Sequence, residues 1–217
     1  MVVLTSFGEY PESFAKYVRP TKLVDFDYGP VKKVANDVVS GCSTEYQAIS
    51  ACWEFVATMP EGFDREDSKA SEVLRANRGM CNTKTTLFIA LLRCAGVPAR
   101  VHAWMIHKVA HKSHMPSLVY AFTPSQTLFT YPEVYYKGKW QLLSEALYSP
   151  SSPEWGACPF DDAKAREFPL REEWIADDLG SFWHPDVVFE KFGTNADGWR
   201  RVAFPFAKLL LNRGGRE

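Results

Sequence analysis

An α+β fold, with helices first and an antiparallel β-meander after them, is predicted by three observations on this chain. Apolar residues recur at helical spacing within residues 30–95, residues 100–107 alternate in the manner of a strand, and residues 133–143 carry two β-favouring runs around Lys137-Gly138-Lys139. The 217 residues, 46% of them hydrophobic, suffice for one domain over 1–217 with a sizeable core.

Taken in order, residues 30–39 read as a short helix. Thr44 and Gln47 make a capping box for the next helix, whose Tyr46, Ile49, Trp53 and Val56 share one stripe. A polar loop covers 60–68, and another short helical piece begins at 71–74. Leu87, Phe88, Leu91, Leu92 and Ala95 mark a helix packed on one face; Gly96 ends it and Pro98 bars its resumption. In the strand that follows, Val101, Ala103 and Met105 lie on the apolar side. A polar loop through Pro124 leads to the hairpin of 133–143. Residues 148–158, rich in Pro and Ser, read as a loop, and the pattern leaves the arrangement of the aromatic-rich segment beyond it open.

Composition removes several function classes. Lys and Arg number 25 against 26 Asp and Glu, and a net charge of −1 gives no electrostatic basis for a nucleic-acid partner. The apolar stretch 1–4 is too short for the core of a secretory signal, and no run of about 18 apolar residues is present, so a soluble cytoplasmic protein without a membrane partner is expected. The five cysteines are odd in number and lack a CxxC pair, which argues against a disulfide framework or zinc ribbon and for a reducing compartment. No Walker loop, GxSxG elbow, GxGxxG or EF-hand occurs, and no cofactor is expected.

Cys81 stands apart from the other cysteines. It lies in Arg78-Gly79-Met80-Cys81-Asn82-Thr83-Lys84, at the start of the helix that runs to residue 95. Unpaired N–H groups and the positive dipole end favour a thiolate there, lowering a thiol from its free value of about 8.5. Lys84 and Arg78 are expected to act in the same direction. Cys42, Cys52, Cys94 and Cys158 are assigned the commoner fate of an inert small hydrophobe.

Residues 70–74, Gly79-Met80-Cys81, residues 87–92, Arg93-Cys94-Ala95-Gly96-Val97-Pro98-Ala99-Arg100 and the later Glu133-Val134-Tyr135-Tyr136-Lys137-Gly138-Lys139-Trp140 resemble the core of the transglutaminase-like superfamily, over roughly residues 20–146. Residues 147–217 then form a C-terminal extension. The resemblance implies a papain-like α+β core in which a helix-start cysteine attacks an acyl carbon, activated by a histidine and an aspartate on the strands. The nucleophile falls on Cys81. The family histidine, four residues before the hairpin glutamate, falls on Phe129, and the aspartate falls on Ser144, with Glu145 one register away. Two of three triad places are therefore changed. Losing the imidazole removes both thiol activation and leaving-group protonation.

Substitute bases are sought on the strands. A helix rising about 1.5 Å per residue and a strand returning at about 3.3 Å per residue bring His107 back towards the Cys81 end. Its parity matches Val101, Ala103 and Met105, and antiparallel pairing is expected to set it near Phe129; a solvated strand-end histidine is the plainer reading. His102 has the opposite parity and lies at the far end. Glu133, sharing parity with Phe129 and Tyr131, serves as a base if burial raises its pKa, and is otherwise a strand residue paired with a lysine. His107, His111 and His114 could be read as metal ligands, but Lys108 and Lys112 among them oppose a cation, so no metal is expected and the segment reads as a solvated loop bordering the site. His184, between Trp183 and Pro185, reads as a packed or turn residue.

Three functions follow. Cys81 acts as nucleophile in acyl transfer or hydrolysis on a small-molecule or carrier-bound acyl substrate. Alternatively, the pocket serves a non-hydrolytic isomerase or cyclase, with Phe129 shaping the cavity and excluding water. The third is a non-catalytic relative that binds a ligand or partner in the same cleft.

Overall fold

The computed structural model describes residues 2–4, 7–60, 62, 65–112, 117–143 and 172–195. Four helices come before the main sheet: α1 (Gly29–Val39), α2 (Glu45–Ala57), α3 (Ala70–Ala76) and α4 (Cys81–Cys94). Pro30 opens α1 within its first turn, where a missing N–H costs nothing. The predicted capping box starts α2: Thr44 Oγ1 accepts from the Gln47 N–H at 3.2 Å, and Gln47 Oε1 accepts from the Thr44 N–H at 3.3 Å.

The centre of the molecule is α4. Every residue from Asn82 to Arg93 is buried, because α1, α2 and α3 pack around it on the side away from the sheet. The expected single packed face is thus replaced by burial all round, and the polar side chains of Thr83, Lys84, Thr85 and Thr86 are enclosed. Gly96, at φ 83°, ends the helix as predicted. Its N–H donates to Arg93 O at 3.0 Å and that of Val97 to Leu92 O at 2.9 Å, the paired bonds of a Schellman motif.

The sheet is antiparallel. Strands β3 (Ala99–His107), β4 (Gln126–Tyr136), β5 (Lys139–Leu142) and β6 (Ile175–Phe182) lie in the order β5-β4-β3-β6, and a separate two-stranded ribbon joins β1 (Val2–Leu4) to β2 (Glu9–Pro11). Lys137 and Gly138 both take positive φ, 50° and 80°, forming the tight turn of the predicted β4–β5 hairpin. Strand β4 begins seven residues earlier than expected. Pro132 sits inside it without cost to the β3 ladder, because its backbone faces the β5 side, where its carbonyl accepts the Leu143 N–H at 2.9 Å. Strand β6 is hydrogen-bonded along β3, so residues beyond the hairpin complete the sheet. Helix α6 (Pro185–Phe192) follows it.

The polar excursion between β3 and β4 is more ordered than the sequence implied. It contains a 3₁₀ turn at Lys108–His111 and helix α5 (Ser117–Phe122), and is closed at its base by the Lys108 N–H donating to Ser125 O at 2.9 Å. No helix among the described residues is long and apolar enough to cross a membrane.

Candidate functional site

Cys81 occupies the first turn of α4, half-buried, as the helix-start motif predicted. Three features fix that turn. Thr83 Oγ1 accepts the Met80 N–H at 2.9 Å, so the hydroxyl satisfies an amide at the helix entrance. Gly79 has no room for a side chain: a Cβ there would stand 2.8 Å from Thr83 Oγ1, 3.1 Å from Lys84 Cγ and 3.3 Å from a Val73 methyl. Asn82 clamps the turn to β4, its Nδ2 donating to Leu128 O at 3.2 Å and its Oδ1 accepting the Thr130 N–H at 2.9 Å and the Thr130 hydroxyl at 3.0 Å. The Cys81 sulfur lies 3.7 Å from the same Oδ1.

Lys84 is fully buried, and its ammonium donates to Met59 O at 2.7 Å, tying the segment before Pro60 beneath this turn. Two other cysteines are held as thiols. Burial pushes the Cys52 thiol far up, and burial also raises that of Cys94, with Lys32 opposing.

Register corrects the placement of the strand candidates. Trp104 pairs with Phe129, and His107 pairs with Gln126, three residues further on, so His107 does not stand opposite Phe129. It is an exposed strand-end residue at the end of the sheet where α4 begins. The hydroxyl of Thr130 reaches Asn82, so the face of β3 and β4 carrying Thr130, Ala99, Val101 and Ala103 is the one α4 covers; His107 has that parity. The position matching the family histidine holds a ring only 2% exposed, and its parity, opposite to that of Thr130, turns it to the face away from α4, so Phe129 does not shape a cavity at Cys81 as expected; it meets Tyr131 edge-on at 4.7 Å, and Tyr131 meets Trp104 edge-on at 5.9 Å. Ser144 and Glu145 lie outside the described residues.

Glu133 is not a carboxylate base with a raised pKa. Burial does work to raise it, but hydrogen bonds from His102, Arg100 and Ser181 outweigh burial and hold it down at about 2. Arg100 Nε lies 2.5 Å from its Oε2. His102 Nε2 in turn lies 2.7 Å from Asp178 Oδ1, and Nδ1 lies 3.1 Å from Ser181 Oγ. Burial lowers the His102 pKa, but the two carboxylates outweigh it and the imidazolium is favoured. This chain of alternating charge joins β3, β4 and β6.

The remaining histidines have other duties. His184 Nδ1 pairs with Asp186 at 2.9 Å, and Asp186 also accepts from the Thr21 hydroxyl and the Leu23 N–H. His111 Nε2 lies 2.8 Å from Thr127 Oγ1. His114 lies outside the described residues, among which no three His, Cys, Asp or Glu side chains converge to hold a metal ion.

Sequence reasoning missed the Asn82 clamp, the matching clamp of Asn195 on Leu128, and the network around His102. Asn82 follows the cysteine directly, but nothing local announces a partner some fifty residues later. For Arg100 and Glu133 the signal was present, since the antiparallel pairing that carries Ala99 to Val134 sets them opposite each other.

A family model of the transglutaminase-like superfamily matches residues 32–144, which include the Cys81 turn, β3 and the β4–β5 hairpin. Among solved structures, a proposed cysteine protease from Cytophaga hutchinsonii shares the fold at a TM-score of 0.51 and 14% identity, covering 80% of this chain and 48% of that one. This chain therefore spans about half the length of that protein. A proposed protease from Parabacteroides distasonis aligns over 64% of this chain and 27% of its own at 16% identity, with a TM-score of 0.41, too low to add to the fold assignment. No curated protein matches the sequence. With an α+β core of papain-like arrangement and a matched segment spanning half its length, the chain belongs to the transglutaminase-like superfamily.

Proposed function

We propose that the protein is an acyl-transfer or hydrolytic enzyme using Cys81 as its nucleophile. The observation that carries this reading is a half-buried thiol in the first turn of an otherwise enclosed helix, with that turn held by Asn82, Thr83 and Gly79. A thiolate there faces the positive end of the α4 dipole. Its sulfur adds to the acyl carbon, the carbonyl oxygen takes the negative charge, and collapse expels the leaving group to give a thioester on Cys81. Water or an amine then attacks that thioester and releases the thiol.

The lack of an imidazole at the family's histidine position, where Phe129 faces away from α4, restricts the substrate. An amide leaving group needs a proton from the enzyme, whereas a thioester departs as a thiolate, so an activated small-molecule or carrier-bound acyl thioester fits this site better than a peptide bond. His107, on the α4-covered face at the α4-starting end of the sheet, is the imidazole assigned to attacking water or amine.

The deciding experiment is the pH dependence of Cys81 alkylation, mapped by peptide mass, with Cys42, Cys52 and Cys94 as internal controls. Selective reaction well below pH 8.5, the free-thiol value of about 8.5 being the reference, is expected. A Cys81 no more reactive than these three thiols overturns the nucleophile reading. Turnover of an acyl thioester lost in both Cys81→Ala and His107→Ala supports acyl transfer with His107 as the base; survival in His107→Ala alone removes His107 from the step and leaves Cys81 as the nucleophile.

A further inference from the structure

We infer that Asn195, on the stretch of chain after α6, is a positioning residue for Cys81, acting through the Leu128 peptide and Asn82. This rests on the Cys81 nucleophile reading, and it extends the working site to a residue well beyond the matched segment 32–144.

The geometry is a relay of short links. Asn195 Oδ1 accepts the Leu128 N–H at 2.6 Å, and its Nδ2 donates to the carbonyl oxygen of the same residue at 2.9 Å, so one side chain holds both main-chain groups of Leu128. That carbonyl also receives Asn82 Nδ2 at 3.2 Å. With Nδ2 so engaged, Asn82 turns Oδ1 to the Thr130 N–H and hydroxyl, and this oxygen is the one that lies 3.7 Å from the Cys81 sulfur. Asn82 is 1% exposed and Leu128 3%, so little water reaches either as an alternative partner.

Removing the Asn195 amide changes what Asn82 must do. The Leu128 N–H then lacks its acceptor, and a buried donor left unmade is costly. The carboxamide oxygen already beside Leu128 is Asn82 Oδ1, and turning it to Leu128 takes it from Thr130 and from the sulfur. Cys81 and Asn82 are the first two residues of α4, so a moved Asn82 carries the thiol with it, and the end of the helix dipole favours a thiolate only within that turn. Two features bring Asn195 to its place. Gly193 ends α6 at φ 74° and ψ −169°, a region open to glycine and strained for other residues, and it redirects the chain two residues before Asn195. At its other end α6 is fixed by Asp186, whose carboxylate accepts the Thr21 hydroxyl at 2.6 Å and the Leu23 N–H at 3.0 Å. The helix that delivers Asn195 is thus anchored on the N-terminal segment, and only the asparagine reaches on to Leu128.

The test is the pH profile of Cys81 alkylation by iodoacetamide, read by peptide mass on the full chain. In Asn195→Ala the midpoint is expected to rise towards the free-thiol value of about 8.5, slowing the reaction near neutral pH by about tenfold, the equivalent of one pH unit. Thr21→Val loosens α6 without touching Leu128; it is expected to lower the melting temperature and leave the profile in place, which separates positioning from loss of stability. In the double variant Asn82→Ala, Asn195→Ala the shift is expected to be no larger than in Asn82→Ala alone, because both residues act through one amide. A wild-type midpoint in Asn195→Ala, an equal shift in Thr21→Val, or additive shifts in the double variant each overturn the inference. Should Asn195→Ala not fold, Asn195→Gln is read in its place: its amide stands one methylene further out, so a midpoint raised by a smaller amount supports the inference and an unchanged one overturns it. If the wild-type Cys81 titrates no lower than Cys42, the nucleophile reading falls by itself. Positioning is then judged by alkylation rates well above the free-thiol value of about 8.5, where the sulfur is ionised. A several-fold change from wild type to Asn195→Ala supports it, and equal rates overturn it.

Discussion

The two ends of α4 are built to opposite purposes. At its start, the proposed nucleophile Cys81 is half-buried in a turn that Asn82 and Thr83 hold through backbone groups. At its end, Cys94 is a thiol raised by burial, and Arg93 is enclosed with donors to Ala99 O, Arg19 O and Trp183 O. Burial pulls the Arg93 pKa down to about 10, with Asp186 opposing, so it stays charged at neutral pH. One end carries the proposed nucleophile and the other stitches the N-terminal segment, β3 and the approach to α6 together. The comparison teaches that burial alone does not assign a role to a polar residue; what its donors reach does.

The largest effect expected is at the first end. Cys81→Ala removes turnover of an acyl thioester entirely, whereas Cys94→Ala leaves it, measured as released thiol. Equal loss in both would erase the distinction. Next, Arg93→Met removes the donors of three carbonyls, that of Ala99 in the interior, and is expected to cost about 3–5 kcal/mol in urea unfolding. A loss below about 1 kcal/mol would mean water replaces the guanidinium.

Acid probes the same far end, since Arg100 and Glu133 lie on the strands just beyond it. With its carboxyl held near 2 against an ordinary 4.5, Glu133 contributes on the order of 3 kcal/mol, fully present above about pH 4.5 and lost as pH falls towards 2. His102 has the opposite sign: its raised pKa adds stability below its ordinary 6.5 that disappears as pH rises through the folded value. Stability against pH is thus expected to peak between about 4.5 and 6.5 from this network, and Glu133→Gln should flatten the acid limb. An unchanged acid limb in that variant would remove Glu133 from the account. The smallest effect is at Gly79→Ala, where the crowded Cβ is expected to cost about 1–3 kcal/mol and to slow Cys81 alkylation by displacing the turn. Full reactivity with unchanged stability would show that the turn yields without consequence.

What was legible in the sequence was local. The Thr44 box, the Gly96 stop, the tight turn at Lys137-Gly138 and the start of α4 at Cys81 each depend on residues a few places apart. The errors came from distance along the chain. His107 was placed against Phe129 because the length of the excursion before Gln126 cannot be read from its composition, and a three-residue offset followed. The sequence offers Glu133 as a base conditional on burial because Ser181, which helps hold it ionised, arrives on β6 from beyond a segment whose pattern gives no element. The one-sided pattern of α4 likewise concealed that Lys84 and Thr85 find acceptors inside, at Met59 O and Thr130 O.

The paired asparagines on β4 have a further consequence. Among the described residues, strand β5 pairs with Glu133–Tyr136 of β4, and before that stretch Asn195 takes the Leu128 N–H and shares its carbonyl with Asn82, while Asn82 takes the Thr130 N–H. Two side-chain amides thereby stand in for a neighbouring strand. They close a sheet margin that a second chain could otherwise extend, so the residue that steadies the nucleophile's turn also guards the protein against strand-by-strand self-association.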